Sequence, residues 1–476
     1  MIDTDALRTN IIDLAVSGKI SSQFPAKDSV ADIIKALPEV STKRKKLLGQ
    51  TFEYGKQPSI PTRWKWMRLG EIASYGDTPT KAFFDDVDGD TWILDLEDIK
   101  SGGEIIVKTR VAGKKFVGDK TVFQKGQVLY SKLRPYLKKV LVADEDGIST
   151  PELISFDTFG GIVPQYIVYC LLSSFTDRAI DKRSYGIKMP RVDAGFMVNL
   201  PIPLPPVSEQ LFIVDRMDAA LSQIDAIDTL QARYADNLTV LKNKLIDAAI
   251  QGKLTEQLPE DGTAEELYQQ IQEKKQALIK AGKIKKEKPL PDISENEIPF
   301  EIPSNWKWIR WGNVVNIVSA RRVHQSDWRK AGVPFYRARE IAKLAEDGFV
   351  QNELFISEDL YDEFSKSGVP QENDLMVSAV GTLGRTYVVK AKDRFYYKDA
   401  SVLCFENFGA VNPYYLALVM KSNMMQRQIE SNSGGTTVDT LTMVRMVKYL
   451  MPLPPRAEQD RIVEAINLIT KITGEL

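Results

Sequence analysis

The chain has 476 residues, 43% hydrophobic and 27% charged, with a formal net charge of −1. That is enough apolar material for two cores, and it excludes a polycation that would cling to any nucleic acid, so DNA binding would need local charge. Two cysteines and one histidine exclude a disulfide framework, a zinc cluster and a histidine-based metal site.

The N-terminus, MIDTDALRTN, lacks a signal-peptide pattern, and no run of 18 apolar residues occurs; a cytoplasmic protein is expected. Residues 1–60 read as an N-terminal helical region ending in a basic stretch, STKRKKLLGQ. A first globular domain is expected over 61–206. It opens on WKWMRLG and continues with strand-like runs TWILDLEDI, GEIIVKTRV and GQVLYSKL, then a helical stretch at 164–181. From Val207 to Gln251 no Pro or Gly interrupts the chain. Apolar residues recur there in steps of three and four through Val207, Leu211, Val214, Met217, Leu221, Ile224, Ile227, Leu230, Tyr234, Leu238, Leu241, Leu245 and Ala248. This predicts one long amphipathic helix, started near Ser208, stopped at Gly252 and roughly 65–70 Å long. Taken alone, such a helix reads as a generic dimerising coiled coil; the repeat on both sides of it points instead to a spacer. Residues 207–300 thus comprise the helix and a linker that begins helical and ends basic and Pro-marked. A second globular domain is expected over 301–455, with strand-like DLMVSAV, GRTYVVKA and ASVLCFEN and a helical stretch at 413–430, and a spacer helix over 456–476.

The chain is written twice. WKWMRLG at 64–70 recurs as WKWIRWG at 306–312, and PLPPVSEQ at 203–210 as PLPPRAEQ at 452–459. WILDLEDI at 92–99 aligns with PFYRAREI at 334–341, and Pro164-Gln165-Tyr166 with Pro413-Tyr414-Tyr415. LRTNIIDLAVSGKISSQFP at 7–25 matches LKNKLIDAAIQGKLTEQLP at 241–259. The tail therefore matches the first part of the central helix and the head matches its last part. The fold class expected is α/β of mixed α+β type. Two repeated globular domains are separated by a long antiparallel helical spacer, in a circular arrangement with approximate two-fold symmetry and neighbouring termini.

Charge alternates within each domain. Residues 71–98 hold nine acidic residues and one Lys, and 100–139 hold eleven basic and two acidic. Residues 319–345 hold seven basic and two acidic, and 346–374 nine acidic and one basic. One basic face per domain would suit phosphates. Base edges demand donors and acceptors at fixed spacing. The candidate DNA-binding residues of the first domain are Thr78, Thr80 and Lys81; Lys132, Arg134, Tyr136, Lys138 and Lys139; and Lys188 and Arg191. Those of the second are Arg321, Arg322, His324 and Gln325; Arg337 and Arg339; Thr382 and Arg385; and Thr436 and Thr437. The frame repeats while these readers differ, which suits a target with two unlike halves. The Trp-Lys-Trp motifs read as core and edge packing.

No catalytic constellation is found. AGKKFVGDKT at 112–121 has Asp119 where a phosphate loop requires Lys, and Asn412-Pro413-Tyr414-Tyr415 lacks the second Pro of the amino-methyltransferase motif.

The order LIDAAIQGKLTEQLPEDGTAEELYQQI, GKIKKEKPLPDI, EIPSNWKWIRWG, then a variable domain ending in LPLPP-type residues and Glu-Gln, resembles the specificity subunit of type I restriction–modification systems. The resemblance covers nearly the whole chain. It implies two target-recognition domains reading a bipartite DNA site, a spacer set by the helices, and no catalysis by this chain. It also implies two methyltransferase subunits and two restriction/translocase subunits as partners, with S-adenosylmethionine, ATP and Mg on those partners and no cofactor here. GIKMPR in the first domain replaces the small-residue-rich SGGTT of the second, so those two loops are not expected to work alike. The rival readings are a coiled-coil adaptor without sequence-specific DNA binding and a stand-alone adenine methyltransferase.

Overall fold

The computed structural model describes residues 1–83, 87–113, 118–181, 183, 189–431 and 440–473. The chain divides into two compact units, Met1–Arg233 and Tyr234–Leu476. The division falls inside one helix, Val207–Ile250, of 44 residues.

Unit 1 begins with a head helix, Thr4–Val16, capped by the Asp3 side chain on Ala6 N–H. It runs antiparallel to the first part of the central helix. The Ile2 N–H donates to Gln231, Arg8 meets Asp225 at 2.7 Å and Asp228 at 2.5 Å, and Ser21 Oγ donates to Glu209 at 2.7 Å. Strand Lys65–Arg68 pairs antiparallel with Pro201–Leu204, closing the domain's beginning onto its end. Between them lie two sheets. In the larger, Trp92–Leu94 runs parallel to Gly147–Ser149, Lys120–Phe123 pairs with the other side of Gly147–Ser149, and Lys81–Ala82 forms an edge. In the smaller, Val128–Ser131 lies between Val140–Val142 and Leu153–Phe156. Helices Pro164–Leu172 and Ser174–Asp181 follow. The expected strand GEIIVKTRV yields only the two-residue strand Thr109–Arg110. Ile106 and Val107 are exposed, because the chain there turns back so that Ile106 N–H reaches the Asp98 carbonyl.

Unit 2 repeats the plan in the same registers. Lys307–Arg310 pairs with Leu450–Leu453, Lys307 facing Leu453 as Lys65 faces Leu204. Val333–Tyr336 runs parallel to Tyr396–Tyr397. Leu375–Ser378 lies between Thr386–Val388 and Val402–Asn407. The Ala73–Thr158 bridge of unit 1 becomes a full strand pair, Val315–Val318 on Val402–Asn407, in which Val315 faces Asn407. The alignment of 92–99 with 334–341 is structural: Asp98 accepts the Asp95 N–H at 2.9 Å, and Glu340 accepts the Arg337 N–H at 2.9 Å. The predicted linker is helical over Ala264–Lys280 and irregular after it.

A fully buried polar feature is the repeated Glu-Gln pair. Glu209, Gln210, Glu458 and Gln459 are all fully buried. Gln210 accepts the Val163 N–H and donates to the Pro205 carbonyl, both at 2.9 Å. Gln459 accepts from Asn412 N–H at 2.8 Å and donates to Pro454 at 2.9 Å. Each amide thus ties the start of a domain helix to the start of the spacer helix. Buried polar groups persist only when so satisfied. Glu209 is held by Ser21 and Arg63, and Glu458 by Thr255, Gln257 and Trp306.

The helix limits correct two expectations. Ser208 does not start the helix; it lies in the first turn, and its N–H and Oγ meet the carboxylate of Asp28. The buried stripe runs through Gln210, Ile213, Met217 and Ile224, whereas Leu211, Leu230, Tyr234 and Leu241 of the predicted seam are exposed. Spacing in threes and fours left the rotation of the stripe open, and the buried glutamine fixes it. Gly252 does end the helix, at φ +70°, in the left-handed conformation that glycine tolerates.

Candidate nucleic-acid interface

In unit 1 the turn between Val128–Ser131 and Val140–Val142 carries five of the predicted residues. Arg134 and Lys138 both adopt positive φ, 48° and 51°, on either side of a single 3-10 turn, Pro135–Leu137. Pro135 is buried and Tyr136 stands 53% exposed. This turn is stitched to the segment that carries Arg191. Leu133 bridges Arg191, Arg134 N–H donates to the Pro190 carbonyl at 2.7 Å, and Val192 N–H donates to the Lys132 carbonyl at 3.1 Å. The structure therefore brings two of the three predicted loops together.

Most of the cations there are held internally. Arg191 makes a two-pronged contact with Glu152, at 2.9 Å and 3.2 Å, and Lys132 lies 3.9 Å from the same carboxylate. Lys138 pairs with Asp177 at 2.9 Å, and Lys139 donates to the Leu96 carbonyl at 2.6 Å. Among the described residues the Arg134 guanidinium has no side-chain partner. Thr78, Thr80 and Lys81 belong to the other sheet's edge. Thr78 is exposed beside Lys43, the Thr80 carbonyl accepts from Val122 N–H, and Lys81 pairs with Asp119. Lys188 lies outside the described residues.

Unit 2 places its loops the same way. Leu441 N–H donates to the Ala379 carbonyl at 2.9 Å, and Val380 bridges Thr440. Ser378 Oγ accepts the Arg385 N–H at 2.9 Å, holding the loop that carries exposed Thr382 and Arg385. Arg385 lies 3.7 Å from Glu346. Thr436 and Thr437 lie outside the described residues. Arg322, His324 and Gln325 are exposed, while Arg321 packs 4.2 Å over the Phe364 ring and meets Glu363 at 3.1 Å. Arg337 and Arg339 converge on Glu340, which is 3% exposed. Burial opposes ionisation of Glu340, but the hydrogen bonds from Arg337 and Arg339 win and lower its pKa. Both arginines thus serve the fold as well as the surface.

Some members of the alternating charge blocks pair across the blocks. Lys120 meets Asp95 at 2.6 Å, and Arg339 meets Glu353. Sequence reading missed the acidic partners, Glu152 and Asp177 above all, because they lie tens of residues away. It also missed the buried Glu-Gln clamps, whose signal was the repeated dipeptide itself.

Among the described residues no cluster of three or more metal-ligating side chains occurs, and no helix is long and apolar enough to cross a membrane. Burial pushes the Cys170 thiol up to about 12, and burial with Asp374 beside it raises Cys404 well above its usual value. Both are free, buried thiols unsuited to nucleophilic attack.

The sequence model of the type I restriction modification DNA specificity domain matches this chain twice, over residues 61–233 and 303–476. The chain belongs to this family. The two matched segments each contain one of the paired-loop constructions described above. The specificity subunit of the type I restriction enzyme EcoAI from Escherichia coli is 26% identical over 538 residues, covering 99% of this chain and 89% of the relative. That of EcoEI, also from Escherichia coli, is 25% identical over 550 residues, with the same coverage of each. A chain solved in work on the assembly and conformational transition of the type I R-M system superposes with a TM-score of 0.64 at 18% identity, covering 88% of this chain and 93% of that one. The fold is thus that of specificity subunits, mixed α and β and internally repeated. The family's role is target recognition on DNA, and this chain is a specificity component rather than a catalytic one.

Proposed function

We propose that the chain reads a bipartite DNA target, one half-site per domain, and delivers methyltransferase and restriction/translocase subunits to it. Two methyltransferase subunits would carry S-adenosylmethionine and flip the target adenine from the duplex. Two restriction subunits would carry ATP and Mg. The observation that carries this reading is the duplication itself. In both domains a loop between strands is held by main-chain bonds to a second loop, in one register, while the side chains on those loops differ. One frame with two unlike readers is what two unlike half-sites require. The domain limits 61–206 and 301–455 are part of the proposal. So is the spacer: the 44-residue helix, roughly 66 Å long, would set the distance between half-sites.

The test is exchange of residues 71–200 for those of a relative, followed by mapping of methylated adenines in the host genome. One half of the recognised sequence changes and the other stays. A change in both halves would refute modular reading. Absence of sequence-specific binding by the assembled complex would favour a protein adaptor instead. S-adenosylmethionine binding by the isolated chain would favour a methyltransferase.

A further inference from the structure

In unit 2, three cations from three elements come together. Helix Pro413–Lys421 ends at Lys421. Just before it, Met420 Cε lies 3.6 Å from where a Cβ on Gly384 would sit, so the end of this helix packs on the loop that carries Arg385. Just after it, Asn423 donates to Asp247 at 2.6 Å, so the same helix end packs on the segment of the central helix that carries Lys242. Lys421 stands between the two. Its side chain reaches solvent, but the protein atoms crowded around its amino group, and then the positive charges of Lys242 and Arg385, lower its pKa. Neither Lys242 nor Lys421 has an ion pair among the described residues. Among the described residues the ion-pair partner of Arg385 is Glu346, at 3.7 Å, and the Asp247 carboxylate is engaged by Asn423.

Unit 1 shows the same positions without the excess charge. The repeat places Arg8 where unit 2 has Lys242, and Arg8 is neutralised by Asp225 and Asp228. The ladder places Lys139 where unit 2 has Arg385, since Ser131 N–H donates to the Lys139 carbonyl as Ser378 N–H does to that of Arg385. Lys139 is committed to the Leu96 carbonyl. Leu172 ends the helix that Lys421 ends in unit 2. Like charges gathered with so little internal compensation call for an anion from outside.

We propose that Lys242, Arg385 and Lys421 form a binding site for a phosphodiester of the DNA backbone, flanking the half-site read by the second domain. The proposal rests on the DNA-reading function above. A phosphate oxygen is the fitting ligand because the cluster adjoins the paired loops at Ala379–Arg385 and Thr440. Such a contact positions the duplex without reading sequence.

The experiment uses the full-length chain with its co-purifying subunits and measures duplex affinity against salt. In the double variant Lys242→Gln/Lys421→Gln, affinity falls by the same factor for target and unrelated duplexes. The slope of log K against log salt becomes shallower by about 0.9 per lysine. Lys421→Arg keeps the wild-type slope. Arg8→Gln in unit 1 costs stability and leaves the slope unchanged. Thermal melting of each variant verifies folding. Salt-dependent wild-type binding with an unchanged slope in the folded double variant would overturn the site. So would an unchanged slope with loss of a co-purifying subunit, which would assign the cluster to an acidic protein surface. No duplex binding by the wild type would instead overturn the reading beneath it.

Discussion

The Trp306 indole donates to the buried carboxylate of Glu458 at 2.7 Å, whereas the matching Trp64 indole, also buried, has no hydrogen-bond partner among the described residues. Arg63 supplies the missing bond to Glu209 in unit 1, at 2.6 Å and 2.9 Å. Trp306→Phe and Trp64→Phe remove the same volume but only the first breaks a hydrogen bond to a buried charge. Trp306→Phe should cost about 1.5–3 kcal/mol more than Trp64→Phe. Urea unfolding of the two variants measures the difference, and equal losses would contradict the assignment.

Gly252 and Gly282 both have positive φ, +70° and +68°. A Cβ on Gly252 would lie 2.4 Å from Pro303 Cγ, while one on Gly282 meets nothing within 4 Å. Gly282→Ala should cost about 1–2 kcal/mol for the left-handed backbone alone. Gly252→Ala should cost clearly more, because the chain must also move Pro303. Thermal denaturation of both variants orders them.

Asp374 is 4% exposed and accepts the N–H groups of Gln371 and Asn407. Burial, with Glu406 adding to it, pushes its pKa up to about 6 against the opposing hydrogen bonds. The folded chain therefore favours the protonated acid. The stabilisation is complete below the unfolded value near 4 and is lost as pH rises toward 6. Unfolding free energy compared with Asp374→Asn across pH 4–7 should show a wild-type-specific fall on the order of 1–3 kcal/mol. A fall shared by both proteins would assign it to other groups.

Arg134 and Arg191 sit on stitched loops but in different circumstances. Arg191 is bound to Glu152, and Arg134, at a positive-φ position, has no side-chain partner among the described residues. Arg134→Ala should weaken target binding about tenfold or more with melting unchanged. Arg191→Ala should lower the melting temperature by leaving Glu152 with Lys132 alone. Binding titrations paired with melting curves separate the two. The opposite pattern would reverse their roles.

The duplicated frame was legible in the sequence because its repeats sit on residues that the frame itself needs: Trp64 and Trp306, the PLPP strands and the Glu-Gln pairs. The strands around Val128–Ser131 and Leu375–Ser378 were legible as short apolar runs. The rotation of the central helix was not, because it is fixed by Gln210 reaching Val163 across 47 positions. The site was legible only as loops. Which of its cations are free depends on Glu152, Asp177 and Glu340, and no local pattern says that these carboxylates face them. The blocks of like charge invited a reading of faces, whereas several of their cations are held by carboxylates, some in the opposite block, such as Asp95 and Glu353, and some outside both, such as Glu152 and Asp177.

The two candidate loop pairs are pinned by peptide groups, Val192 to Lys132 and Leu441 to Ala379. Every residue except proline supplies the same N–H, and every residue supplies the same carbonyl. Substitution by any residue but proline at Val192 or Leu441 therefore keeps the donor, and, if these loops read DNA as proposed, a lineage of such proteins could change the DNA word it recognises without having to rebuild its frame.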